Sequence, residues 1–334
     1  MGFVKNNVCT GIVAVAFQWS AIMSDEKMYE IANEPQKLKK YKRFHVYSKV
    51  DDQFITAKAP NEEINYHELN NGNTRARLFI RVSDKLKLIQ EQQFRLHQDL
   101  KRSLKVDIPK SKVIIKNMVK VAMAEPRGNT FRFMQETIDV IVDEYLKNPN
   151  VVTQLTYVSV HDYSTQLHLT NAMLLCLGYA SFHRFSVEKM KLFGLMGLMH
   201  DVGKVEIPDY LLQAPRKLTP EEFDQIKKHP VASMRMLRNH NFSEEIQRVA
   251  LEHHERIDGS GYPEGKKGNE LSEASKVLAI IDIFEALTTW RPYKDSYPPL
   301  KALKIIKEEV DEGKLDKDIF EKFAYSIIGM SRTT

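Results

Sequence analysis

Histidine and aspartate recur in this chain where apolar stretches stop. Val187 to Met199 is almost uniformly apolar, the pattern of a buried helix, and it runs into His200-Asp201-Val202-Gly203-Lys204. A charged tip on a buried helix is costly unless something compensates it. A metal ion is a cheap compensator, because neutral imidazole and ionised carboxylate are both ready ligands. His229 follows in Lys227-Lys228-His229-Pro230, and the apolar-striped segment Ile246 to Leu251 leads to His253-His254-Glu255. Neighbouring histidines on a helix project about 100° apart, so they reach different centres or opposite sides of one. Val277 to Leu287 is an apolar helix with Asp282 in its middle, and a buried aspartate there needs a partner, a metal being the simplest. His161 and His168 are seven residues apart and share a face if their helix is continuous.

Each feature has a plainer reading: a surface helix end for His200-Asp201, solvated or capping side chains for the paired histidines, a buried Lys or Arg against Asp282. Their joint occurrence at the ends and middles of apolar helices favours a helical metal-dependent hydrolase. Mixed imidazole and carboxylate ligands suit Fe, Mn, Zn or Ni better than Mg or Ca. Between His254 and Gly265, Gly259 and Gly261 before Tyr262-Pro263 permit a tight turn and close backbone approach to a ligand; ordinary surface-turn chemistry reads the same way. Arg291-Pro292-Tyr293-Lys294 offers two cations and an aromatic, suited to a phosphate and a flat base, or else a helix end with favourable cations and a following proline.

The elements that must position these groups divide the chain unevenly. Residues 1–35 are a leader, a strand or disordered; the apolar segment Gly11 to Phe17 is too short to span a bilayer and no convincing cleavage site follows it. Residues 36–105 read as a small α/β regulatory module with a connector helix. It opens on a basic run (Lys37, Lys39, Lys40, Lys42, Arg43), continues with strands at Phe44–Val50, Gln53–Ala59 and Thr74–Val82, a helical piece over Asn61–Leu69, a turn at Asn70–Asn73, and a helix from Ser83 to about Lys105. Residues 106–128 are a helical linker. Residues 129–334 are helices joined by short turns, with Thr130 the expected cap of the first. The expected architecture is therefore two-domain: a small N-terminal α/β module and an all-α helical bundle that does the chemistry.

The composition agrees. The chain has 334 residues, 43% hydrophobic and 28% charged, with only 14 glycines and 13 prolines, which excludes disordered and collagen-like classes and favours long regular elements. Cysteines number only two, Cys9 and Cys176, so a disulfide framework is excluded and a reducing cytoplasm is the natural location. No run of about twenty apolar residues marks a transmembrane helix. The net charge of +5 tolerates anionic partners without demanding DNA.

Taken together, these residues resemble the HD-GYP family, the branch of HD phosphohydrolases that hydrolyses cyclic di-GMP. The resemblance spans roughly Thr130 to Ile328. It rests on HDxGK at His200–Lys204, LTxEE at Leu218–Glu222, the HP step at His229, HHExxDGxGYPxG at His253–Gly265 and DxxEALTxxRPYK at Asp282–Lys294. It implies an HD-type bundle holding two divalent metals, iron first and manganese second, with His168, His200, Asp201, His229, His253, His254 and Asp282 as ligands and Asp201 bridging. It implies further that Lys204 faces the phosphate and that Glu285 hydrogen-bonds near it or pairs with Lys204. Arg291 and Lys294 would hold the substrate's guanine or phosphate, and Gly261, Tyr262 and Pro263 would shape the pocket wall and offer a surface to a protein partner such as a diguanylate cyclase.

The implied reaction is attack of a hydroxide shared by two metals on a phosphodiester of cyclic di-GMP, giving pGpG and then GMP. The alternatives are a cyclic-dinucleotide receptor of little activity that acts through protein partners, and hydrolysis of 3′,3′-cGAMP or another nucleotide. Three departures stand out. Ser164 occupies a position where family members with a third metal carry Glu, so two metals are expected. The family's KPGxLT loop reads Ala214-Pro215-Arg216-Lys217-Leu218-Thr219, and Glu285 stands where Asp is common. The oligomeric state is left open, although the connector after Ser83 could pair with a second copy.

Overall fold

The computed structural model describes residues 27–50, 52–64, 76–125, 129–160, 164–290 and 295–331. Residues 1–26 of the expected leader, the turn at Asn70–Asn73, most of the helical piece over Asn61–Leu69, and His161 lie outside them. The described start of that piece is not helical: Asn61 sits in a turn with φ of 67°. The chain divides into two compact units, one ending at Leu88 and one beginning at Ile89.

The first unit is built on a four-stranded antiparallel sheet. Strands β1 (Met28–Ile31), β2 (Val46–Val50), β3 (Gln53–Lys58) and β4 (Leu78–Arg81) lie in the order β1-β4-β2-β3. The register pairs Ile31 with Leu78, Tyr47 with Phe79 and Val50 with Gln53. Part of the expected leader is thus a strand; four residues are too few to show a period of two by themselves. Helix α1 (Pro35–Leu38) and the short 3-10 turn Lys39–Tyr41 bury Leu38 and Tyr41 against Ile31, Val46, Leu78 and Ile80. The basic run is therefore the exposed side of an amphipathic segment. Buried Lys58 ties it down: its ammonium donates to the carbonyls of Lys42 (2.9 Å), Phe44 (3.1 Å) and Ala59 (2.9 Å).

Helix α2 (Val82–Ser103) begins in the first unit, and from Ile89 onward it belongs to the second. The second unit is helical among its described residues, with α3 (Ile108–Ala124), α4 (Arg132–Tyr145), α5 (Asn150–Tyr157), α6 (Thr165–Phe182), α7 (Val187–Met199), α8 (Asp209–Leu212), α9 (Pro220–Ile226), α10 (His229–Asn239), α11 (Glu244–Glu252), α12 (Glu273–Thr288), α13 (Pro299–Asp311) and α14 (Lys317–Ser331). Residues 89–124, expected to connect and link, are part of its body: Leu100, Leu104, Ile115, Met118 and Val119 are buried in the same core as α6 and α7. Caps set several starts. Asp107 accepts from Lys110 N, Ser164 from Leu167 N, Ser186 from Lys189 N and Ser272 from Ser275 N. Thr130 does not cap α4. It lies in the 3-10 turn Asn129–Phe131, buried, and its hydroxyl donates to the carbonyl of Glu125 at 2.8 Å. No helix among the described residues is long and apolar enough to cross a membrane.

Helices α6 and α7 are apolar on nearly every face and pack along one another at the centre of the unit. Gly197 makes the crossing close. A Cβ added there would come within 2.7 Å of the Ala172 carbonyl oxygen and 2.9 Å of Cys176 Sγ. Backbone cannot yield as a flexible side chain can, so we expect Gly197→Ala to cost about 1–3 kcal/mol, read as a lowered melting temperature of the full chain. An unchanged melting temperature would mean that the two helices separate freely.

Candidate metal centre

The close crossing brings His168, on the first turn of α6, beside His200, the residue that ends α7. Asp201 follows, then a 3-10 turn (Val202–Glu206) that lies against the start of α10. Gly203 permits that approach: its N–H donates to Ser233 Oγ at 2.8 Å, and a Cβ would stand 2.5 Å from the His229 carbonyl oxygen. His229 opens α10, His253 ends α11 and Asp282 sits mid-way along α12. These side chains are buried, with His254 partly so. They form two adjoining groups in which the ligand atoms lie within 4.8 Å of one another: His168, His200 and Asp282, and Asp201, His229, His253 and His254.

Three histidines share one local device. His200 Nδ1 donates to Gly197 O (3.0 Å), His229 Nδ1 to Ile226 O (2.7 Å) and His253 Nδ1 to Ala250 O (2.9 Å). A carbonyl can only accept, so each Nδ1 carries the proton and each Nε2 presents a lone pair. Those lone pairs converge. His229 Nε2 and His253 Nε2 stand 3.3 Å apart, and Asp201 Oδ1 lies 2.9 Å from the first and 3.5 Å from the second. Asp201 Oδ1 is buried and has no hydrogen-bond partner. Three electron-rich atoms facing one another with no proton between them are repulsive in an interior of low dielectric, and a cation placed among them satisfies all three. The second group gathers the same kinds of atom. His168 Nε2 and His200 Nε2 are 3.2 Å apart, with Asp201 Oδ2 at 3.2 Å and Asp282 Oδ1 at 3.3 Å from His168 Nε2. The two oxygens of Asp201 therefore face different groups, and Asp282 turns its other oxygen, Oδ2, to His254 Nδ1 at 3.7 Å. The donor set fits two divalent cations that share a carboxylate.

The electrostatics match. Burial pushes His253 down to about 4 and His254 in the same direction, so both are neutral imidazoles at neutral pH. Burial alone would raise Asp201, but Lys204, His200 and His229 outweigh it and hold the carboxyl well below the usual range. Burial opposes charge on His168, yet Glu285, Asp201 and Asp282 outweigh it and lift the imidazole to about 10. The surrounding carboxylates thus favour a positive charge at that point.

Glu285 does not pair with Lys204. Its Oε2 accepts from His168 Nδ1 at 2.6 Å, and its Oε1 accepts from Asn171 Nδ2 (2.9 Å) and Thr289 Oγ1 (2.6 Å). Lys204 is bonded to Asp201 Oδ2, a partner three residues back on the same turn. Glu285 is held down to about 2 against its burial by His168, Thr289 and Asn171. This is the carboxylate–histidine arrangement that orients a ligand and sharpens its basicity. Asn171 and Thr289 are not among the site residues expected from the sequence, though the spacing signals are there: Asn171 is three residues after His168, and Thr289 four after Glu285.

The loop after α11 forms the wall. The Tyr262 ring lies 4.8 Å from that of His254, and Phe223 of α9 meets Tyr262 edge-on at 6.3 Å. Gly261 sits against the backbone of Glu255 and Arg256, and Pro263 follows Tyr262 through a cis peptide. Glu255, buried within the loop, accepts from Glu264 N (2.7 Å), Gly265 N (3.1 Å) and Lys266 N (3.1 Å). The departure at Ala214–Lys217 is braced by a residue that the family pattern lacks: Arg216 grips both oxygens of Glu222, at 2.7 and 2.8 Å, while Glu222 completes a capping box with Thr219. Ser164 spends its hydroxyl oxygen on capping α6. Arg291 and Lys294 lie outside the described residues.

Residues 169–319 match the family model of an HD domain. A cyclic di-GMP phosphodiesterase of Pseudomonas aeruginosa is 32% identical over 193 residues, covering 58% of this chain and 46% of that protein. A cyclic di-GMP phosphodiesterase of Thermotoga maritima is 40% identical over 138 residues, covering 37% of each. A 3′3′-cGAMP-specific phosphodiesterase of Vibrio cholerae is 36% identical over 154 residues, covering 46% of this chain and 36% of that protein. The chain spans less than half the length of these relatives. Among solved structures, an HDG"Y"P protein from Bdellovibrio bacteriovorus shares the fold with a TM-score of 0.57, at 17% identity over 91% of this chain and all of that one. The convergent histidines and aspartates thus sit in a helical unit most of which, residues 169–319, matches the family model of an HD domain.

Proposed function

We propose that this chain hydrolyses a phosphodiester bond of cyclic di-GMP, yielding pGpG and, from it, GMP. The observation that carries this reading is the pair of buried groups sharing Asp201, each with two imidazole nitrogens turned on one another. The relatives' activities support it. Two divalent cations, iron before manganese for imidazole and carboxylate donors, would be held by His168, His200, Asp201, His229, His253, His254 and Asp282; when bound, they supply water activation and charge stabilisation for phosphodiester hydrolysis.

The chain's own residues do the rest. Lys204 sets an ammonium at the partly exposed edge of the site, where it meets the substrate's phosphate and the negative charge that grows on it. Glu285, steadied by Asn171 and Thr289, keeps the proton on His168 Nδ1 and so keeps Nε2 as the ligating atom. Tyr262 forms one side with aromatic surface, backed by the exposed Phe223. Arg291 and Lys294 hold a guanine or a phosphate at the far end of the dinucleotide. The N-terminal unit regulates the helical one, and the surface of the Gly261–Pro263 loop receives a protein partner. A second reading, hydrolysis of 3′,3′-cGAMP, is favoured by the Vibrio cholerae relative and uses the same site.

The test is metal analysis of anaerobically purified protein, with cyclic di-GMP and 3′,3′-cGAMP turnover followed by chromatography of the products. We expect about two metals per chain and formation of pGpG or GMP. Metal-loaded protein that binds the dinucleotide without cutting it would overturn the hydrolase reading in favour of a receptor. Asp201→Ala should lose both metals and all turnover together, because one carboxylate serves both groups; retention of two metals would refute the shared site. Glu285→Gln should weaken metal affinity by about 10–100-fold, because it removes the charge behind His168 without touching a metal. Glu255→Gln should leave the metal content intact and raise KM, because it loosens only the loop that carries Tyr262. Loss of metal in that variant would place the loop inside the ligand shell.

A further inference from the structure

Glu285 grips His168 with one carboxylate oxygen and gives the other to Asn171 and Thr289. Glu285, Asn171 and Thr289 also line a cavity of about 230 Å³, together with Lys112 of α3 and Trp290 just after α12. That volume holds one flat heterocycle and is too small for a whole dinucleotide. Two polar groups in its wall have capacity that the fold does not use. Lys112 is buried, and its ammonium donates to Thr156 O (3.3 Å) and Val158 O (2.7 Å), beyond the end of α5. An ammonium has three protons, so one remains. Asn171 spends its amide hydrogens on Glu285 Oε1 (2.9 Å) and Thr289 Oγ1 (3.3 Å), while its buried Oδ1 has no partner. A buried amide oxygen without a donor is rare in a folded interior. Trp290, with 46% of its surface exposed, supplies an aromatic face at the rim.

We propose that this cavity is a guanine pocket, receiving one base of the cyclic dinucleotide; it rests on the function proposed above and names the base that function requires. One charged donor and one neutral acceptor are what guanine's O6 and its N1–H or N2–H groups need, and the indole stacks on the ring. Adenine fits less well. It has no carbonyl oxygen for the ammonium, and its usual reading by an asparagine takes the amide's donor and acceptor together. Here the donors already hold Glu285 and Thr289. The base bound in this cavity therefore touches the side chain that sets His168, so base recognition and the metal centre share one hydrogen-bonded chain.

The test uses nucleosides, which carry no phosphodiester, so its outcome is independent of whether the centre turns over. The chain has two tryptophans, Trp19 and Trp290; in a Trp19→Phe background the indole emission reports Trp290. Guanosine titrated into this protein should quench the emission saturably, and adenosine at least about tenfold more weakly. Lys112→Met should weaken guanosine binding by about ten- to a hundredfold. Ile327→Phe, which narrows the cavity from the wall contributed by α14, should abolish quenching in a protein whose circular dichroism is unchanged. Equal quenching by the two nucleosides, or a preference for adenosine, overturns the guanine assignment. Absence of saturable quenching, or full quenching in folded Ile327→Phe, overturns the pocket itself.

Discussion

The centre depends on a hydrogen bond of modest strength used three times, from a histidine Nδ1 to the carbonyl three residues earlier. At His200 and His253 the carbonyl lies in the last turn of the helix that the histidine ends, and at His229 it belongs to the last residue of α9. The last carbonyls of a helix lack intrahelical donors. Each imidazole supplies one and is in turn locked into a single tautomer and ring orientation. With the outer nitrogen committed, the inner nitrogen has only a lone pair to present. Bundle packing then brings the His229 and His253 lone pairs to 3.3 Å of one another, and that of His200 to 3.2 Å of His168 Nε2, around Asp201. The arrangement is unfavourable for the polypeptide alone and favourable around cations, which is how a fold specifies a metal without any residue that binds metals exclusively.

The acidic residues around the centre divide their work. Asp201 and Asp282 face the imidazoles. Glu285, Glu255 and Glu222 brace: the first holds His168, the second folds the tyrosine loop onto three backbone amides, and the third takes Arg216 at the α9 end. All three braces are carboxylates committed to hydrogen-bond donors. The cost of ordering the loop is offset inside the loop itself, so Tyr262 reaches His254 on a rigid support. The same economy links the proposed guanine pocket to the metal centre, because Asn171 and Thr289 serve both.

Most of the helical unit was legible in the chain because buried helices leave an unmistakable pattern. Val187–Met199 is the helix its apolar run predicts, and the polar residues at its end stand out because nothing apolar shields them. The first unit was less legible. Four residues from Met28 form an edge of its sheet only because β4 pairs with them, and Leu38 and Tyr41 were hidden among lysines whose charge masks the apolar pair. Thr130 has the residue type of a cap, yet its hydroxyl found the Glu125 carbonyl instead, a preference set by burial.

Residue type and order along the chain were enough to single out candidate ligands, since imidazole and carboxylate at the tips of apolar helices are costly there without a cation to bind. They could not sort those ligands into two groups, because which lone pair faces which depends on ring orientation, and that is set by backbone carbonyls on α7, α9 and α11. Nor could they tell a reacting acid from a bracing one. Glu285 and Lys204 have complementary charges and lie in neighbouring motifs, so pairing them is reasonable on paper. The folded chain gives Lys204 a nearer partner in Asp201, on its own turn, and turns Glu285 across the bundle to His168 and Asn171. Distances between helices, which no local pattern encodes, made that choice.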